Sequence, residues 1–383
     1  MRILGKGKTA LAIKDVYSDA KLYDDNDLDI YDEDSDEITV VSPGIPPYNQ
    51  LVQNTKNLIS DYDLFLDENK FSIWISGTNG KTTTTQMMGL LLKESDFEVG
   101  GNIGVPLGKL KDQKKLILET SSFTLHYTSK AKPNIYILLP ISDDHISWHG
   151  SYKEYAQAKL KPLSIMNKDD IAIVPSEYRN IKTQAQLYSY KDSEDLANQF
   201  SIDINQIKFA EPFLLDSLLA LVVQKIVNEE VDYDLISSFK VDPHKVEEFR
   251  DHKNRLWVDD SKATNIDATI WALKGYKNKK IYLILGGDDK NADLTPLFLI
   301  LQQYDLQIYA IGQNTDKLDI LAQKFNIKIE KCYKLENAVY KINKNLDEAS
   351  ICLLSPAAAS LDQYSSYRER GLKFKEFINS FTD

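Results

Sequence analysis

The sequence predicts an α/β protein of three nucleotide-sized modules. They are a Rossmann-like segment at 1–66, a central P-loop segment of ATPase type at 67–241 and a second Rossmann-like segment at 242–383. Three observations predict this. First, from residue 242 the apolar runs RLWVDD, IYLILGG, LQIYAIG, KIEKCY and SICLLSP alternate with helical stretches of roughly ten to fifteen residues, the mark of parallel strands covered on both faces. Second, Ser72–Met88, SIWISGTNGKTTTTQMM, joins an apolar run to a helix through a glycine-bearing turn. Third, MRIL leads into Gly5-Lys6-Gly7-Lys8-Thr9-Ala10, a G-x-G-x-x-A turn.

In the first module, MRIL reads as a strand, GKGKTA opens a helix, and Lys21–Tyr23 and Ile38–Val41 read as further strands. Asp24 follows the second strand, where an acid can meet a ribose. The turn by itself invites an NAD-dependent oxidoreductase. The segment is only half a dinucleotide fold, a size that suits one nucleotide's diphosphate, such as a UDP-sugar; a plain structural turn is the third reading. The acidic run YDDNDLDIYDEDSDE at 23–37 reads as a solvated loop.

In the second module, Phe71–Ile75 reads as a buried strand and 82–93 as a helix with Met87, Met88, Leu90, Leu91 and Leu92 as apolar surface. The common P-loop pattern ends correctly on Gly80, Lys81 and Thr82, but its first glycine would fall at Ile75, and Gly77 comes two residues later. Such a turn exposes N–H groups at a helix start and favours an anion. Lys81 would reach outer phosphates and Thr82 would ligate Mg²⁺. The strands KKLILE, NIYILLPIS and DIAIVP follow. Ligands bind past the carboxyl ends of such strands, which singles out Glu119-Thr120-Ser121-Ser122-Phe123 and Ile141-Ser142-Asp143-Asp144-His145. The stretch SYKEYAQAKLKPL reads as a helix, on which Lys159 alone would pass for a surface lysine.

Composition narrows the classes. The chain has 383 residues, 43% hydrophobic and 27% charged, as a globular protein does. Its net charge of −11 argues against a nucleic-acid partner. There is no apolar run long enough to span a bilayer, and the N-terminus does not read as a signal peptide. Cys332 and Cys352 read as buried free thiols, so a cytoplasmic location without membrane insertion is expected.

Taken together, GTNGKTT, GGNIG, LETSSF, DDHISWHG with a lysine fourteen residues after its first histidine, DDSKATN, GGDDKNAD and LLSPAAASLDQY resemble the Mur ligases. These are the ATP-dependent amide-forming enzymes of peptidoglycan precursor synthesis. DSKATN and SPAAASLDQ resemble the branch that adds D-glutamate. The likeness runs from the first turn to about Gly371, and its loop, G-T-N-G-K-[ST], begins at Gly77. It implies the three-domain fold of that family and the small-molecule substrates ATP, UDP-N-acetylmuramoyl-L-alanine and D-glutamate. The reaction would pass through an acyl phosphate and a tetrahedral intermediate, in a monomer.

The resemblance also implies roles. Gly77, Thr78, Asn79, Gly80, Lys81, Thr82 and Thr83 would hold ATP, with Asp260 and Lys245. Thr82 and Glu119 would ligate one Mg²⁺ and His145 a second, joined by Lys159 as a carbamate; Lys81, Glu119, His145 and Lys159 form the catalytic set. Gly5, Gly7, Lys8, Thr9, Asp24, Ser42, Pro43 and Gly44 would take the UDP end, with Asn102 and Ser121 on the muramoyl part. Lys262, Thr264, Lys290, Ser360, Leu361 and Tyr367 would bind D-glutamate, whose two carboxylates suit two lysines. Arg370 reads as a cap or an ion-pair partner. Short linkers predict closure of the last domain over the ATP site.

Several positions depart from the family's pattern. Pro212 and Phe213 stand where a His-Asn pair is usual, and Asp216 where a later asparagine is, so adenine contacts must differ. Lys245 replaces an arginine and loses its planar fork. Asn26 stands where arginine is frequent. Two alternatives remain beside the D-glutamate ligase: a related Mur or folylpolyglutamate-type ligase with another acceptor, and a P-loop nucleotide-binding module without ligase activity.

Overall fold

The computed structural model describes residues 1–381. It contains three sheets. The first has β1 (Arg2–Leu4), β2 (Lys21–Tyr23), β3 (Thr39–Val41) and β4 (Leu58–Ile59), in the order β2-β1-β3-β4. The second has β5 (Phe71–Ser76), β6 (Glu98–Gly101), β7 (Lys115–Glu119), β8 (Ile135–Leu138), β9 (Ile171–Pro175) and β10 (Gln186–Tyr190), in the order β10-β9-β8-β5-β7-β6. The third has β11 (Glu247–Arg250), β12 (Leu256–Asp259), β13 (Lys280–Leu285), β14 (Leu306–Ile311), β15 (Lys328–Tyr333) and β16 (Ser350–Leu354), in the order β11-β12-β16-β13-β14-β15. Among the described residues, these strands pair in parallel except β11 with β12, which is antiparallel.

The chain forms two compact units. One contains Met1–Phe209 and Phe213–Phe239, with the first two sheets; the other contains Ala210–Pro212 and the chain from Lys240 onward, with the third. In the first unit, period-2 alternation along β5 turns Ile73 and Ile75 to one face and Trp74 to the other. The first face packs on Met87, Met88 and Leu91 of the helix Lys81–Leu91 and on Leu218, Leu219 and Val222 of the helix Phe213–Asn228. Trp74 joins Leu116, Leu118, Tyr136, Leu125 and Tyr155, continuous with Ile3 and Val40 of the first sheet and Ile13 of the helix Lys8–Val16. The third sheet is likewise apolar on both faces: Val258, Leu283, Ile308 and Leu353 lie on one, and Trp257, Tyr282, Tyr309 and Cys352 on the other.

Three details differ from the sequence reading. The helices between strands of the third sheet have 9, 7, 10 and 9 residues, because part of each gap is strand-end loop. The helix expected at 82–93 spans Lys81–Leu91 and gives way to a 3-10 turn, Lys93–Ser95. The strands β4, β6, β10 and β11 also form without a long apolar run. Cys332 and Cys352 are buried free thiols. Among the described residues, no helix is long and apolar enough to cross a membrane.

Candidate functional site

The phosphate loop leaves β5 and enters the helix at Lys81. Gly77 and Gly80 have φ of +142° and +83°, and a Cβ on Gly77 would overlap Leu139 Cβ. Only glycine meets both demands without strain. Thr78 pins the loop: its hydroxyl lies 2.9 Å from the Tyr155 hydroxyl and donates to the Ser142 carbonyl at 3.1 Å. Lys81 Nζ folds back on the loop and donates to the carbonyls of Gly77 at 2.9 Å and Thr78 at 2.7 Å.

Because β7 neighbours β5 and β6 follows it, three separate segments meet at the carboxyl edge of this sheet. Glu119 is 2% exposed. Its carboxylate accepts from Thr82 Oγ1 at 2.7 Å and from Asn102 Nδ2 at 2.6 Å. Ser121 caps the short helix Ser122–Tyr127 through the Thr124 N–H.

Lys159 corrects its expected surface position: it is 1% exposed. The helix Tyr152–Ile165 buries the face carrying Tyr155, Ala156, Lys159 and Leu163. Lys159 Nζ donates to the Gly77 carbonyl at 2.7 Å and lies 4.7 Å from the Tyr155 ring centroid. Burial, and next the nearby Lys81 charge, hold its pKa well below the ordinary lysine value. His145 has left-handed backbone, φ +54°, and its ring packs 4.7 Å from Phe123 and 6.1 Å from Tyr155, centroid to centroid. Next to it is His149, missed by the sequence reading. It bonds Ser122 Oγ through Nε2 at 3.0 Å, and burial foremost pushes its pKa down to about 4, so it is neutral near pH 7. Asp216 bonds Thr84 Oγ1 at 3.0 Å and lies against Gly80.

At the first sheet, the register Leu4↔Tyr23 and Leu4↔Val41 brings Gly5, Asp24 and Ser42 to one carboxyl edge. Gly7 precedes the helix Lys8–Val16, which carries Lys8 and Thr9, while Pro43 and Gly44 continue the loop after β3. Asp24 pairs with Lys6 at 2.8 Å. Tyr127 donates to the Ile45 carbonyl at 2.7 Å, tying the loop after β3 to the segment after β7.

In the second unit, Lys262 Nζ lies 4.3 Å from the Tyr367 ring centroid. Thr264 follows in the same loop. Lys290 sits on an exposed loop at φ +50°. Reciprocal bonds between Asp288 and Ala359 bring that loop beside Ser360 and Leu361, which are buried and exposed respectively. Asp260 is buried, accepts from Ser355 Oγ at 2.7 Å and from the Val246 N–H at 3.2 Å, and has its pKa pushed up to about 8 by burial. Arg370 is 1% exposed and bonds Ser261 Oγ at 2.9 Å and the carbonyls of Ser261, Ala358 and Ala359 at 2.9, 3.1 and 3.3 Å, so it neither caps its helix nor forms a surface pair. Lys245 pairs with Asp242 at 3.1 Å. His244, Glu247 and Asp259 cluster nearby, where Lys375 bonds Glu247 at 2.7 Å and already supplies a cation.

Comparison with known proteins gives these residues a context. A family model described as Mur ligase middle domain matches residues 75–214. A relative from Campylobacter jejuni (strain RM1221), named UDP-N-acetylmuramoylalanine--D-glutamate ligase, is 49% identical over 396 residues, 98% of each chain. A Helicobacter pylori (strain ATCC 700392 / 26695) protein of the same name is 44% identical over 415 residues, again 98% of each. Solved structures share the fold: MurF ligase from Thermotoga maritima in complex with ADP aligns with TM-score 0.61 at 14% identity, over 98% of this chain and 93% of that one. UDP-N-acetylmuramate-alanine ligase MurC from the same organism gives 0.58 at 15%, over 99% of each. With nearly half its residues identical along almost its whole length, this chain belongs to the Mur ligases, in the group of UDP-N-acetylmuramoylalanine--D-glutamate ligases.

Proposed function

We propose that the chain joins D-glutamate to UDP-N-acetylmuramoyl-L-alanine at the expense of ATP, in peptidoglycan precursor synthesis. In this reading ATP phosphorylates the substrate carboxylate, the D-glutamate amine adds to the acyl phosphate, and phosphate leaves from the tetrahedral intermediate. The observation that carries it is the meeting of Thr82, Glu119 and Asn102 beside a glycine-bearing phosphate loop.

The N–H groups of 77–83 and Lys81 would take the phosphates, Lys81 exchanging its loop carbonyls for phosphate oxygens. Two oxygen donors 2.7 Å apart, one a buried carboxylate held by neutral donors, suit a hard divalent cation. Thr82 and Glu119 would hold one Mg²⁺; His145 and a modified Lys159 would hold a second. When bound, Mg²⁺ neutralises charge on the transferring phosphoryl group.

An ammonium at Lys159 cannot ligate a metal, but burial, which holds its pKa well below the ordinary lysine value, favours the neutral amine. That amine would attack CO₂: an N–C bond forms, one proton is lost, and the resulting carbamate presents two oxygens. Asn102 and Ser121 would orient the muramoyl part, and Gly5, Gly7, Lys8, Thr9, Asp24, Ser42, Pro43 and Gly44 the UDP end. Lys262, Thr264, Lys290, Ser360, Leu361 and Tyr367 would receive D-glutamate. Lys245 and Asp260 are assigned to the nucleotide, and the working form is a monomer in the cytoplasm.

The test is ADP release with UDP-N-acetylmuramoyl-L-alanine, Mg²⁺ and ATP, comparing D-glutamate with L-glutamate, L-lysine and meso-diaminopimelate. The reading requires a strong D-glutamate preference. Equal release with every amine, or release with none, overturns it.

A further inference from the structure

The loop carrying Lys290 is held from outside by two side chains that follow β14. Its apex is strained: Lys290 and Asn291 have consecutive positive φ of +50° and +61°, a conformation side chains rarely adopt unless their surroundings impose it. Within the loop the Lys290 N–H donates to Asp288 Oδ1 at 3.0 Å, and from outside Asn314 and Lys317 hold the segments on either side of the apex. Asn314 Oδ1 accepts from the Gly287 N–H at 3.0 Å, while its Nδ2 donates to Asp289 Oδ2 at 3.1 Å. Lys317 Nζ donates to the same Asp289 oxygen at 2.8 Å and to the Ala292 carbonyl at 2.6 Å. The other Asp289 oxygen accepts from the Asn291 N–H at 3.0 Å. Both arms of the loop are therefore tied to one asparagine and one lysine, and the apex is linked to them through the Asp289 carboxylate.

This lysine is not placed for the sake of its own helix. It lies in the first turn of Thr315–Lys324, where the helix dipole disfavours a cation. The Asp289 side chain is only 8% exposed. Its burial alone would raise its pKa, yet the Lys317 and Asn314 bonds outweigh that and hold it below the ordinary value.

We infer that Lys317 and Asn314 are positioning residues for the acceptor amino acid: they hold loop 287–292 so that the Lys290 ammonium meets an acceptor carboxylate in one fixed orientation. The inference rests on the reading of Lys290 as an acceptor contact. It adds a specificity element built from residues that themselves touch no substrate.

The test uses the full chain with Lys317→Met, Lys317→Arg, Lys290→Ala and the Lys290→Ala/Lys317→Met double variant, measuring KM for each substrate, kcat and the thermal midpoint. Lys317→Met should raise the KM for D-glutamate about tenfold, with the KM values for ATP and UDP-N-acetylmuramoyl-L-alanine within about twofold and the midpoint nearly unchanged, since the lysine is partly exposed. Lys317→Arg should restore most of the loss. On the Lys290→Ala background, Lys317→Met should add nothing. If Lys290→Ala raises the KM and Lys317→Met does not, or if the two effects simply add, the positioning role falls. A parallel rise in all three KM values overturns it as well. If Lys290→Ala leaves the D-glutamate KM unchanged, the reading of Lys290 falls and takes the inference with it.

Discussion

Burial decides the chemistry of Lys159. A lysine one per cent exposed, with a single carbonyl bond at 2.7 Å, pays a desolvation cost for its charge. Lys159→Ala should therefore lower kcat by at least about a hundredfold, as loss of a group that holds charge in the reaction does. Added acetate or formate should recover a measurable part by supplying carboxylate oxygens. Full activity without rescue, or no rescue at any concentration, would count against the carbamate. Asp260 makes a second residue-scale prediction. Its pKa, near 8 folded against 3.8 ordinarily, means the folded chain binds this proton more tightly than the unfolded one. The resulting stability is fully present below the ordinary value and is lost as pH rises through about 8. The gap in unfolding free energy between Asp260→Asn and the parent chain should therefore shift in the variant's favour by about 1 kcal/mol or more between pH 5 and pH 8.5. Parallel stability profiles would dismiss this assignment of the proton.

Among the elements, the loop between β5 and its helix contrasts with the turn after β1. Gly77→Ala puts a methyl group against Leu139 at φ +142° and should cost about 2–4 kcal/mol while weakening ADP binding. Gly7, at φ −79° with open space around its Cβ position, should accept alanine within about 1 kcal/mol. Urea midpoints and ADP titrations of the two variants check the contrast; equal costs would refute the steric account. Strand legibility follows the same local logic. β5 was readable because FSIWIS is apolar and buried on both faces. β11, EEFR, and β10, QLYSY, were not, because an edge strand with one wet face needs no apolar run. Asp216 on the helix Phe213–Asn228 was readable only as a departure from a pattern, whereas its bond to Thr84 gives it a structural task at the base of the phosphate loop.

Across the whole molecule, each compact unit has its own apolar core; the first unit carries Trp74 and Trp148, the second the buried Trp257 and the half-buried Trp271. Each should give its own unfolding transition. In a Trp257→Phe/Trp271→Phe variant, tryptophan fluorescence reports the first unit alone, and its transition should rise by about 2.7 kcal/mol in ADP and Mg²⁺ at a hundredfold excess over Kd. A transition that ignores ADP would remove the nucleotide from that unit.

Local chemistry is written in the chain. A glycine where φ is positive, a lysine and threonine at a helix start, and apolar runs of strand length need no distant partner to be recognised, so the phosphate loop and the parallel sheets were legible. Strand order is different. Glu119 meets Thr82, 37 positions earlier, and Asn102, 17 earlier, because β7 inserts between β5 and β6. Pairing of that kind is settled by packing across the whole sheet and leaves no local trace. For the same reason the sequence presents Lys159 as a surface lysine and gives no sign of what Asn314 and Lys317 hold. Which face of a helix is buried, and which loop a side chain braces, depends on the neighbours that the completed fold supplies.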